Sequence, residues 1–200
     1  MKLLYITNVR LPTEKAHGIQ IMKTCEALAE HGINVELIVP RRINSITTDP
    51  FDYYSVKKNF SITYISCPDL IHFGKIGYRI SQWIFAELSA WRVRHRYTGK
   101  EIIYSRDEII LFNMVLLRHK LFWEVHDGRF NIIVKLLLKK LTGIIAITQG
   151  LKGFYEKKGF VSERILVAPD AVDLEEFTVS LSRLECRRKL NLPENKKIIL

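Results

Sequence analysis

Cysteine is scarce in this sequence. Cys25, Cys67 and Cys186 are far apart, odd in number, and form no Cys-x-x-Cys pair. That argues against a disulfide scaffold or a zinc ribbon and makes a reducing, cytoplasmic compartment the expected setting. Long apolar runs are also missing: none approaches the ~20 residues that span a bilayer, so a membrane could be met only at its surface. The opening Met1-Lys2-Leu3-Leu4-Tyr5-Ile6-Thr7-Asn8 carries one basic residue and a short apolar run, which Arg10 and Pro12 interrupt without a small-residue cleavage site. It reads as a first strand, not a signal peptide. With ten glycines, six prolines and no low-complexity tract, fibrous and linker-type chains are excluded. There is no Gly-x-Gly-x-x-Gly fingerprint and no Walker lysine motif, so nicotinamide dinucleotides and P-loop phosphoryl transfer lose ground.

Acidic residues are the minority charge. Asp and Glu number 21 against 31 Lys and Arg, a net charge of +10. Such a surplus suits anionic partners: nucleic acid, an anionic membrane surface or small phosphorylated ligands. Nucleic acid is not expected, because no helix-turn-helix, RNP-type aromatic pattern or zinc finger accompanies the charge. The 200 residues, 48% hydrophobic and 26% charged, suffice for one domain with a real core, or one domain plus a fragment.

Strand-length apolar runs alternate with helical stretches. The pattern predicts strands at 3–7, 34–39, 61–66, 101–104, 120–125, 143–147 and 164–168, the second stopped by Pro40. Helices are expected at 18–31, about 73–97, 108–117, 130–141 and 149–158, with Gly32 capping the first. Residues 40–60 are polar and irregular and read as a loop, with or without a short strand. This rhythm implies an α/β fold, a doubly wound parallel sheet of Rossmann-like type.

In such sheets ligands bind beyond the carboxyl ends of the strands, which selects four places. The turn after the first strand runs to His17-Gly18 at a helix start, where a glycine lets amides approach an anion; a loop glycine required by its dihedral angles is the other reading. In Trp123-Glu124-Val125-His126-Asp127-Gly128, alternation puts Glu124 and His126 on one face, and Asp127 begins the turn. A histidine there can bond sugar hydroxyls or handle a proton, or it can be a structural group bonded to backbone. Ser105-Arg106-Asp107 is either an internal ion pair or a ligand clamp, with Asp107 also placed to cap the next helix. Thr148 is read as an N-cap. Between residues 70 and 142 there are 13 basic residues against 6 acids. The stripe Phe130, Ile133, Val134, Leu137, Leu138 and Leu141 beside Lys135, Lys139 and Lys140, and the cluster Trp91–Arg96, suit either an anionic lipid surface or core-facing helices with solvated basic sides.

Four segments together resemble the N-terminal domain of retaining GT-B glycosyltransferases of family 4 (group 1): residues 10–20, Tyr104-Ser105-Arg106-Asp107, Glu124-Val125-His126-Asp127 and Val167-Ala168-Pro169-Asp170-Ala171-Val172-Asp173. The resemblance implies two Rossmann-like domains facing across a cleft, the first mainly holding the acceptor and the second the nucleotide-sugar donor. It implies that His126 bonds a donor-sugar hydroxyl and that the Gly18 amide meets the diphosphate or sugar. His17, Arg106, Asp107, Glu124 and Asp127 are the further substrate-binding candidates. Transfer would proceed with retention, with no metal and no cofactor besides the nucleotide sugar as co-substrate, to a glycan or lipid-linked acceptor in cell-envelope polysaccharide synthesis.

On this reading residues 1–173 form the acceptor-side domain, 174–194 a charged linker with a short helix, and 195–200 the first strand of an absent C-terminal donor-binding domain. The piece alone is expected to be inactive, and its setting is the cytoplasm or the inner face of the membrane. Two alternatives stand beside it: a GT-B-type nucleotide-sugar epimerase, and a non-catalytic polyanion-binding module.

Overall fold

The computed structural model describes residues 1–172, 174, 178 and 180–198, in two compact units, Met1–Pro169 and Asp170–Leu200. In the first unit the order is β1 (Lys2–Ile6), α1 (Ala16–Glu30), β2 (Asn34–Arg41), α2 (Pro50–Tyr53), β3 (Ser61–Ser66), α3 (Gly74–Arg96) and β4 (Ile102–Ser105). It continues with α4 (Glu108–Asn113), β5 (Lys120–Val125), α5 (Ile132–Leu138), β6 (Gly143–Ala146), α6 (Gln149–Lys157) and β7 (Ile165–Val167). The seven strands form one sheet in the order β3-β2-β1-β4-β5-β6-β7, every pair parallel. The strand order reverses between β1 and β4, and in this Rossmann-like topology a crevice opens there above the carboxyl ends.

Both faces of the sheet are covered because successive side chains of each strand point opposite ways. Leu3, Tyr5, Val35 and Leu37 pack on Ile21, Met22 and Cys25 of α1. Leu4, Ile6, Ile38, Ile103 and Trp123 pack on Phe85 of α3, Leu111 of α4, Val134 and Leu137 of α5, and Tyr155 of α6. The apolar stripe of α5 is therefore spent largely on the core, and its lysines lie on the solvated side.

Four local details differ from the sequence reading. Pro40 does not stop β2: it pairs with Ile65 inside the strand. The Ile38 carbonyl accepts from the Thr7 amide on the β1 side, and Pro40, two residues on, turns the same way. Its missing N–H thus faces the side where β1, ending at Ile6, supplies no further strand. The loop at 40–60 contains a short helix, α2, capped by Asp49. Helix α5 starts at Ile132, because the Asn131 side chain accepts from the Val134 amide at 2.9 Å. Helix α4 ends at Asn113 and continues as turns. Gly32 follows α1 with φ 78°, as its capping role requires.

The second unit holds α7 (Arg183–Lys189), opened by a Ser182/Glu185 capping box, with the Arg187 guanidinium donating to the Pro193 and Glu194 carbonyls. Residues 195–198 are turn and irregular backbone. Ile199 and Leu200, the end of the expected strand, and Asp173, the end of the expected acceptor-side domain, lie outside the described residues.

Candidate active site

Alternation along β5 sends Trp123 and Val125 into the core and turns Glu124 to the α1 side. Parallel register pairs Tyr5 with Tyr104 and Tyr104 with Phe122. Glu124, two residues past Phe122, shares their face, so both tyrosine hydroxyls reach its Oε2, Tyr104 at 2.5 Å and Tyr5 at 3.3 Å. On Oε1 the carboxylate meets His126 Nε2 and Arg106 Nη2, each at 2.7 Å. The arginine makes a charge contact there, not an aligned hydrogen bond. Burial alone would raise this carboxyl, but the His126 bond, the Arg106 charge and the Tyr104 hydroxyl outweigh it and hold the pKa at about 2.

An ionised carboxylate can only accept, so the ring carries a proton on Nε2, and in the neutral tautomer Nδ1 is an acceptor. His126 lies one residue past β5, at the carboxyl edge of the sheet, with its side chain 32% exposed. Among the described residues Nδ1 has no hydrogen-bond partner. The ring is thus fixed at one nitrogen and available at the other.

Arg106, one residue past β4, links this pair to α1. Its Nη1 donates to Gln20 Oε1 at 3.0 Å, and its carbonyl accepts from the Trp123 indole at 3.2 Å. His17, on the first turn of α1, lies close enough that burial and the Lys15 and Arg106 charges push its imidazole pKa down, favouring the neutral form. Arg106, Glu124 and His126 therefore come together, and Arg106 forms an internal ion pair with Glu124 while Asp107 turns elsewhere.

The remaining candidates are placed differently. Gly18 lies within α1 and its amide donates to the Lys15 carbonyl at 2.9 Å. A Cβ there would meet the Tyr54 hydroxyl at 2.2 Å and Thr13 Cγ2 at 2.7 Å, so close packing of the 50–56 segment is one reason for a glycine. Asp107 sits at the N-cap position of α4 but does not cap it. Its Oδ2 instead accepts from the Asn8 amide at 2.9 Å and the Thr7 hydroxyl at 3.2 Å, tying β4 to the end of β1, while burial pushes its pKa up. Asp127 turns to Arg129, whose guanidinium also donates to Glu108 at 2.8 Å. Thr148 caps α6 through the Leu151 amide, as expected.

Sequence reading missed Tyr5, Gln20 and Tyr104. The tyrosines were within reach, since parallel register and a period of two align them with Glu124; Gln20 depends on the angle of α1 and leaves no local signal. Also missed is Arg42, which is almost fully buried. It pairs with Asp69 at 3.2 Å and donates to Asn8 Oδ1 at 2.6 Å. Beside it the phenol of Tyr78, on α3, is pushed up by burial and by Asp107. These groups extend the polar edge from β4 across β1 to β3.

No family model matches the chain, and no curated protein matches it. Solved structures do share its fold. HepE from Anabaena in complex with UDP superposes with a TM-score of 0.60 at 13% identity over 96% of this chain and 50% of that one. The lipopolysaccharide outer core galactosyltransferase WaaB gives 0.55 at 13% identity over 86% and 46%. UDP-GlcNAc 2-epimerase from Neisseria meningitidis bound to UDP-GlcNAc gives 0.62 at 9% identity over 96% and 54%. The chain spans about half the length of these structures and has the fold of one Rossmann-like half of GT-B proteins.

Proposed function

We propose that this chain is the acceptor-side domain of a GT-B enzyme acting on a nucleotide sugar: a glycosyltransferase that moves the sugar, with retention, to a glycan or lipid-linked acceptor in cell-envelope polysaccharide synthesis. The observation that carries the reading is the His126 ring, fixed by an ionised Glu124 at the carboxyl edge of β5 and open at Nδ1. A sugar hydroxyl donating to Nδ1 would be oriented by a group that cannot swing away, and positioning of that kind favours the transition state. Partial positive charge developing on the sugar would be met through the ring by the Glu124 carboxylate. His126 thus orients and stabilises and is not a nucleophile. In this reading the nucleotide is held by a second Rossmann-like domain, the leaving diphosphate is stabilised by amides and basic side chains without a metal, and the 200 residues alone turn over little or no substrate.

The epimerase reading has its own support: the shared fold with an epimerase bound to UDP-GlcNAc, and the gathering of Glu124, His126 and Asp107 at one sheet edge. One experiment separates them. The full-length polypeptide is given a panel of nucleotide sugars with and without a glycan acceptor, and products are followed by NMR. Acceptor-dependent transfer with an unchanged anomeric configuration supports the transferase; a new sugar epimer formed without acceptor replaces it with the epimerase.

A further inference from the structure

Helix α3 is amphipathic in the wrong sense over its first half. The turn facing the protein carries Gly77 and Ser81. A Cβ on Gly77 would lie 1.9 Å from the Leu70 carbonyl oxygen, and the Ser81 hydroxyl accepts from the Leu70 amide and donates to the Pro68 carbonyl, so small and polar groups make this contact. The large apolar groups point the other way. Phe73, Ile76, Ile80 and Trp83, spaced three and four apart, are 67%, 74%, 46% and 38% exposed, and Trp91 continues the stripe further along. A helix that only served the fold would bury such a stripe.

Around it the charge is basic. Lys75, Arg79, Arg94 and Arg96 are exposed and make no ion pair among the described residues, and Glu87 is the helix's one acid. Too many charges accompany the apolar groups for a span, and no described helix is long and apolar enough to cross a membrane. Aromatic and aliphatic groups along one face, with cations beside them, suit a helix lying in the plane of an anionic interface.

We propose that the first half of α3, with the turn before it, docks on an anionic lipid bilayer. Charge complementarity selects that occupant over a neutral partner surface, and the chain's net charge of +10 acts in the same direction. The docking face begins beside the polar edge, because Ser81 of the same helix holds the Pro68–Leu70 turn, which carries Asp69, the partner of Arg42. Docking therefore brings the carboxyl edge of the sheet close to the lipid headgroups. The inference concerns where the domain lies and holds for either reaction considered above.

The test is direct. Trp83 and Trp91 are exposed and Trp123 is buried, so a Trp91→Phe chain carries one exposed indole. With phosphatidylcholine/phosphatidylglycerol vesicles at low salt, the proposal expects co-sedimentation and quenching of Trp83 by lipids brominated in their acyl chains; this reads the docking helix without disturbing its apolar stripe. Ile76→Asp/Ile80→Asp should lower vesicle partitioning by roughly tenfold or more, whereas Lys139→Glu/Lys140→Glu on α5 should lower it far less. Absence of binding to anionic vesicles, wild-type binding by the Ile76/Ile80 variant, or quenching confined to neutral vesicles would overturn it. So would a wild-type dimer that the same variant converts to monomer, which would assign the stripe to a second copy.

Discussion

Glu124 concentrates the physics of the site. Its carboxylate sits within a buried set of two tyrosine hydroxyls, one guanidinium and one imidazole, so replacing it removes charge that Arg106 needs. Glu124→Gln should cost about 3–5 kcal/mol, the typical penalty for leaving one partner of a buried pair uncompensated. Tyr104→Phe removes one hydrogen bond to a charged acceptor and should cost about 2 kcal/mol. Urea unfolding measures both, and equal effects of the two variants would contradict the ranking. The carboxyl titrates near 2 in the folded chain, below its ordinary value of 4.5, so the folded state binds fewer protons than the unfolded state in acid. Its contribution, on the order of 3 kcal/mol, is fully present above about pH 5 and is lost as pH falls through 4 toward 2. Urea midpoints at pH 7, 5 and 3.5 should be similar for the first two and lower at the third. In Glu124→Gln that last drop should shrink.

At the scale of elements, α1 shows how a motif can be readable while its surroundings are not. The glycine of His17-Gly18 is visible in the sequence, but what fills the space beside it is not. Tyr54 arrives from 36 residues further on, and its hydroxyl donates to the Thr13 carbonyl at 2.7 Å and accepts from the Thr13 amide at the same distance. Gly18→Ala should therefore destabilise the fold by about 1–3 kcal/mol through overpacking. Tyr54→Phe, which removes the nearest atom, should recover part of that loss in the double variant. Purely additive effects would show that the two residues do not share this contact. Strand positions were legible because short apolar runs end at turn residues. Helix ends were less so: α5 starts where Asn131 captures an amide, and β2 passes through Pro40 because its neighbour has already ended. Both depend on geometry that local spacing does not carry.

The whole molecule follows from one topological fact, the reversal of strand order between β1 and β4. It places the loops after β1, β4 and β5 along one edge, where Asn8, Arg106, Asp107 and His126 come near one another despite wide sequence separation. Alternation of strands and helices made the parallel sheet legible, and the rule that ligands meet its carboxyl edge singled out His126, Glu124 and Arg106, which are in contact there. The same pattern could not show that Asp107 would be drawn to β1 and Asp127 to Arg129, since those bonds depend on loop paths. We propose that His126, oriented by Glu124, acts on a nucleotide sugar. The most direct test is release of nucleoside diphosphate by the full-length polypeptide, supplied with its preferred nucleotide sugar and acceptor, for wild type and His126→Ala. We expect kcat to fall by roughly 10²-fold or more in a variant that is still folded, its stability lowered by about 2 kcal/mol for the lost bond to Glu124; turnover at the wild-type rate by His126→Ala would rule this role out.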